Sequence, residues 1–170
     1  MSRARTRWYV RVLTCGVLWG ASGCGIDQAL RPDDHVGRYP LAQVSGHELD
    51  WYHQLEGIDS RAAFTSGELT IAADQAFRLE LAYDFRCLGA TSYDGSDVLV
   101  VTGNTIKGRP EALLLNGWGP DLIGGTGIDR WSLDVRPVDS YLDVRFLGLP
   151  RDLYGAFVFR MGPQEPIDEP

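Results

Sequence analysis

The residues able to do chemistry in this 170-residue chain are three histidines, three cysteines and 23 carboxylates. His35, His47 and His53 form neither a helical i, i+4 pair nor a unit with paired cysteines, the arrangements that structural and catalytic zinc sites use. No metal site and no cofactor is expected from them. Cys87 would need a neighbouring base to act as a nucleophile, and its surroundings in sequence supply none, so it reads as a small residue at the end of a strand. There is no Gly-x-Ser-x-Gly elbow to anchor a serine hydrolase. The glycine-rich stretch 116–127 lacks the Gly-Lys-Ser/Thr ending through which a phosphate loop holds its ligand, and it reads as a connection. Two carboxylates suffice for glycoside hydrolysis, but with 23 of them on one small surface, chance proximity accounts for pairs. No catalytic residue is nominated, and the chain is read as a non-enzyme. Trp51, Tyr52 and Trp118 are the tryptophan and tyrosine residues on two long connections, and they are the candidate contacts for a ligand; the alternative is that they plug a core.

The elements that must position these residues are strands. Phe77, Leu79, Leu81, Tyr83 and Phe85 alternate with Arg78, Glu80, Ala82, Asp84 and Arg86, which predicts one buried face and one wet face. Before them, Ala73-Asp74-Gln75-Ala76 reads as a turn. Arg61–Ala72 reads as the preceding strand, with Leu69 and Ile71 opposite in phase to Glu68 and Thr70, and with Gly67 as a bulge. Trp131, Leu133 and Val135 alternate in the same way up to Pro137, and Val138–Ser140 turns the chain into Leu142, Val144 and Phe146. In the opening stretch, Val36–Leu49, Tyr39 and Leu41 share a face and the phase slips before Val44. A bulge is expected there, with Pro40, which has no N–H, at that bulge or at an edge. Further strands are expected at Val98–Val101 (turning at Gly103-Asn104 and resuming to Ile106), Glu111–Leu115 and Tyr154–Arg160. Asp50–Ser60, Leu88–Asp97 and 116–127 read as loops. This amounts to roughly eight antiparallel strands and no helix. Open edges on so many strands invite aggregation and closure removes them, so the expected fold is all-β, an up-and-down barrel, with a β-sandwich as the alternative. Long connections at Asp50–Ser60 and 116–127, against tight turns at Ala73–Ala76 and Val138–Ser140, predict one loop-rich rim.

Charge is distributed unevenly along the chain. Every acid follows Cys24 and four arginines precede it, so removing residues 1–23 takes the net charge from −7 to −11. A domain that acidic repels phosphate backbones, so nucleic acid is not an expected partner. The basic stretch Met1–Arg11, the apolar run Val12–Gly20 and the small residues Ala21-Ser22-Gly23 have the layout of a signal peptide over 1–23. A transmembrane helix would need about 20 apolar residues. Ala21-Ser22-Gly23-Cys24 resembles the lipobox of bacterial lipoproteins, which implies diacylglyceryl attachment to the Cys24 thiol and a membrane anchor there; ordinary signal cleavage and secretion is the rival. Gly25 rather than Asp after the cysteine implies sorting to the outer membrane. Residues 24–35 then read as a tether, 36–161 as the barrel domain, and 162–170, with three prolines, as a disordered tail.

Gly37-x-Tyr39-x-Leu41-x-x-Val44-x-Gly46-x-x-Leu49, Gly67-x-Leu69-x-Ile71-x-x-Asp74-x-x-Phe77 and Val101-x-Gly103-Asn104-x-Ile106 together resemble a family of small, uncharacterised bacterial lipoproteins with a lipocalin-like barrel. The chain departs from the family's habit at Ser45, Asp50 and Asp74-Gln75. The resemblance implies a barrel holding a small apolar ligand in its interior or at its mouth, and it assigns no site residue. A second class stands beside it: a structural or interaction protein of the envelope, partnered by other proteins, with a barrel filled by its own side chains. Eight strands enclose just enough space for either outcome. The size of the inward side chains decides between them.

Overall fold

The strict alternation read from Phe77 onward is realised through Tyr83, and Phe85, expected inward, is half-buried against the core. In a computed structural model that describes residues 29–54, 60–87, 93–120, 128–147 and 157–167, Leu79 and Leu81 are fully buried, Phe77 and Tyr83 nearly so, and Arg78 and Arg86 exposed. Period-2 placement puts alternate side chains on opposite faces of a strand, so this one segment fixes the inside and the outside of the sheet. The strands are β1 (Gly37–Val44), β2 (Tyr52–Gln54), β3 (Ser60–Ile71), β4 (Phe77–Cys87), β5 (Tyr93–Arg109), β6 (Ala112–Pro120), β7 (Ile128–Val138), β8 (Tyr141–Leu147) and β9 (Phe159–Met161). They form one antiparallel sheet in the order β1-β9-β8-β7-β6-β5-β4-β3-β2, and β1 also pairs with β3. That extra pairing closes eight strands into a barrel and excludes the sandwich; β2 lies on β3 as a short ninth strand.

Closure depends on β1 dividing its backbone between two neighbours. Gly37 to Pro40 pair with Ile71 to Glu68 of β3, and Leu41 to Val44 pair with Met161 to Phe159 of β9. The register shifts between Leu41 and Gln43, at the expected bulge. Pro40 sits immediately before that shift, where one pairing gives way to the other, and a residue without an N–H fits such a position.

The interior is filled by large side chains. Phe64 of β3 meets Phe159 of β9 at a centroid distance of 4.9 Å, Phe159 meets Phe146 of β8 at 5.6 Å, and Phe146 meets Trp131 of β7 at 5.1 Å, all edge to face. Such T-shaped contacts are the favoured geometry of aromatic quadrupoles. Two glycines of β6 leave room for the rings: a side chain on Gly117 would run into Phe77 and the Thr102 carbonyl, and one on Gly119 would run into the Val100 carbonyl and meet the Trp131 indole nitrogen at 3.2 Å.

The glycine-rich segments therefore differ from the reading that propensity suggests. The loop expected over 116–127 is strand through Pro120, and residues 121–127 lie outside the described part. Asp94-Gly95, expected to centre a loop, pairs with Arg86 and Phe85 instead. Gly103-Asn104 is not a turn but an irregularity inside the 17-residue β5, between Thr102 and Thr105. Likewise the bulge expected at Gly67 falls between Phe64 and Ser66. Glycine carries no side-chain period, so pairing with a neighbouring strand decides its conformation.

Both flanks of the domain are ordered against it where described. Arg38 and Glu165 exchange backbone hydrogen bonds at 2.9 and 2.8 Å, and the Gln164 amide donates to the Val36 carbonyl at 2.6 Å. Composition predicts a disordered tail over 162–170; residues 162–167 instead supply partners to the stretch of β1 that β9 does not reach, meeting a backbone demand that composition does not register. At the other flank the Leu30 N–H donates to the Arg109 carbonyl at 2.9 Å, Leu30 packs on the core, and Pro32–His35 forms a single 3-10 turn. The Tyr39 hydroxyl donates to the His35 carbonyl at 3.0 Å. The part of the expected tether from Ala29 onward is thus docked on the barrel. Residues 1–28, including Cys24, lie outside the described part.

The antiparallel order sorts the connections by end. Turns at 72–76, 110–111 and 139–140, together with Leu30, occupy one end, and the strand ends at Gln54, Ser60, Cys87, Tyr93, Pro120, Ile128 and Leu147, between which the longer stretches of sequence run, lie at the other. The strand ends that flank the expected long connections thus share one end, the loop-rich one, opposite Ala73–Ala76 and Val138–Ser140.

Candidate functional site at the loop-rich end

The chain leaves β1 through Ser45 and Gly46, both at positive φ of 50° and 80°, and the reversal returns His47 to a backbone pairing with Val44. That turn brings His47 parallel onto Trp51, with centroids 4.8 Å apart and 7° between the ring planes. Trp51 is 56% exposed. His53 lies edge-on to His47 at 5.5 Å and to Phe157 at 5.2 Å. It pairs with Ala62 on β3 and faces inward, so among the described residues it caps the aromatic column of Phe157, Phe64 and Phe159. Burial holds the His53 imidazole below its ordinary pKa, with the adjacent His47 as a second cause, because removing water disfavours the charged ring. The mouth is therefore an aromatic cap with a neutral buried histidine beneath a solvent-facing stack.

The three expected contact residues are not brought together. Trp51 belongs to the mouth. Tyr52, its neighbour in sequence, pairs with Ala63 and turns to the outer wall, where the Arg86 guanidinium lies 4.5 Å above its ring. It borders an open cleft of about 300 Å³ with Asp84, Arg86, Asp94 and Ser96. Trp118 is on β6 rather than on a loop. Gly117 and Gly119 face inward on either side of it, so it projects outward, 58% exposed, between Thr102 and Arg130 of the neighbouring strands. Sequence reasoning missed His47 as the partner of Trp51 and His53 as the partner of His47. Their spacing follows no helix or strand period, and the signal that could have found them is the Ser45-Gly46 reversal.

The outer wall carries further apolar side chains: Val98 on β5, Ile128 on β7 and Leu147 on β8 are 44, 75 and 41% exposed. Trp118 and Arg130 are paired, as are Pro120 and Ile128, and Ser132 and Leu147. Val138 and Tyr141 are exposed as well, beside the β7–β8 turn, and the wall also carries cross-strand ion pairs such as Arg160 with Asp143 at 2.8 Å and Arg38 with Glu68 at 2.7 Å. Among the described residues no three His, Cys, Asp or Glu side chains group to hold a metal ion. Cys87 ends β4, paired through its backbone with Ser60 and Tyr93.

No family model matches the chain, and searches of the curated proteins and of the solved structures return no match either.

Proposed function

We propose that the chain is a lipid-anchored protein of the cell envelope, attached through Cys24, whose barrel is filled by its own side chains and which works through its surface as a structural or protein-binding component. The observation that carries this reading is the aromatic column of Phe64, Phe146 and Phe159, whose rings meet at 4.9 and 5.6 Å in the barrel interior, where a carrier would hold its ligand. The exposed wall around Trp118 and Ile128 supports it, since exposed apolar side chains are what a protein partner covers. The outer membrane is the proposed location, on the lipobox and Gly25. A second reading, a small apolar ligand held at the mouth, draws on Trp51 and its stack with His47.

An environment-sensitive apolar dye titrated into residues 25–170 discriminates the two. A self-filled barrel shows no saturable binding and no tryptophan quenching. Stoichiometric binding with quenching, lost in Trp51→Ala, would replace the first reading with the second.

A further inference from the structure

The lipobox and the fold meet at the N-terminal flank, and their meeting has a geometric consequence. From Ala29 onward the chain is held to the tight-turn end, by the Leu30–Arg109 backbone hydrogen bond, by Leu30 on the core and by the Tyr39 hydroxyl on the His35 carbonyl. Leu30 also lines a groove of about 380 Å³ with Pro137 and Val138, beside the β7–β8 turn. Only five residue steps separate Cys24 from Ala29, a leash of at most about 18 Å at ~3.6 Å per step. The eleven residues of β4, tilted as an eight-strand barrel requires, span about 28 Å along the axis.

We propose that this docked flank orients the protein on its membrane: the tight-turn end faces the lipid surface, and the loop-rich end with the His47–Trp51 stack is held away from it. A leash of about 18 Å anchored at the tight-turn end cannot bring the opposite mouth to the headgroups past a barrel about 28 Å long. The net charge of −11 after cleavage opposes tight adhesion of the acidic wall to anionic lipid. The surface offered to partners is then the mouth and the upper wall. This rests on lipidation at Cys24. It adds that the anchor's orienting power lies in Leu30 and in Gly108, whose missing side chain admits the Leu30 carbonyl.

The test uses the full acylated protein in phosphatidylcholine vesicles doped with headgroup-spin-labelled phosphatidylcholine. After cleavage the tryptophans are Trp51, Trp118 and Trp131, all set well up the barrel from the tight turns. Their emission is expected to be spared, while Ser140→Trp, or Tyr141→Trp should that turn not tolerate the ring, adds a component that the labelled lipid quenches. Gly108→Ala expels Leu30 and frees the chain as far as His35, where the Tyr39 hydroxyl still holds it, lengthening the leash from five to eleven steps, about 40 Å, and the native tryptophans then become quenchable. Native tryptophans quenched as strongly as the turn residue, or no change in Gly108→Ala, would overturn the orientation while vesicle flotation still upheld the anchor. Failure of the wild type to float, with Cys24→Ala behaving identically, would overturn the anchor and the orientation together.

Discussion

At the scale of single residues, what separates one position from its neighbour is the face it occupies. Leu81 has no exposed surface and faces Leu99 across the β4–β5 ladder; Glu80, beside it, forms an exposed ion pair with Arg78 at 2.6 Å. Leu81→Ala is expected to cost about 2–5 kcal/mol through lost burial and the cavity left behind. Glu80→Ala should cost under about 0.5 kcal/mol, since exposed pairs contribute little. Denaturant melts of the two variants check this, and equal losses would show the register to be inverted. His53 is the residue-scale counterpart for pH. Its folded pKa lies below the unfolded value of 6.5 through burial first and His47 second. The unfolded chain therefore binds a proton that the folded chain resists, so the His53 contribution is intact above about pH 6.5 and is lost as pH falls from there through the folded value. His35, also depressed by burial against an opposing Asp34, acts in the same direction. Melts from pH 8 to pH 5 should show falling stability, with a shallower slope in His53→Gln; an unchanged slope would remove His53 as a cause.

At the scale of elements, the turns carry strain that the strands do not. Gln75, Glu111 and Asp139, one in each tight turn, hold positive φ of 66, 64 and 57°, a region that costs an ordinary L-residue about 1–2 kcal/mol. Asp74 already braces the first turn by accepting the Ala76 N–H at 3.0 Å. Gln75→Gly should remove the left-handed penalty and return about 0.5–1 kcal/mol of it as unfolded-state entropy, for a net gain of roughly 0.5–1 kcal/mol and a higher melting temperature. Asp139→Gly should gain less, because aspartate tolerates this conformation. A lower melting temperature for Gln75→Gly would show that the turn is not strained there. These turns were legible because Asp74-Gln75 and Asp139-Ser140 interrupt clean alternation on both sides. The β5–β6 pair was legible only in its middle: the apolar run Val98–Val101 reads as strand, whereas Gly95, Gly103, Gly117 and Gly119 read as breaks. Each is paired in the sheet, and Gly117 and Gly119 are buried because the Trp131 and Phe77 rings need the space.

At the scale of the whole molecule, the sequence alone determined which face of β4, β7 and β8 is buried, where the β3–β4 and β7–β8 hairpins reverse, the acidity of the domain, and a basic then apolar N-terminal stretch ahead of Cys24. All of these are local properties: a period of two, a turn residue or a charge count depends on residues a few positions apart. Tertiary structure alone decided that β1 splits its pairing between β3 and β9 and so closes the barrel, that Gly162–Glu165 completes β1, and that Leu30 seals the tight-turn end. It also decided that Trp51 stands at the mouth while Tyr52 and Trp118 face outward on separate strands. Such arrangements join residues as far apart as Arg38 and Glu165. No local period encodes them: backbone groups left without partners select whichever distant segment can satisfy them, and glycines admit or exclude that segment by the space they leave.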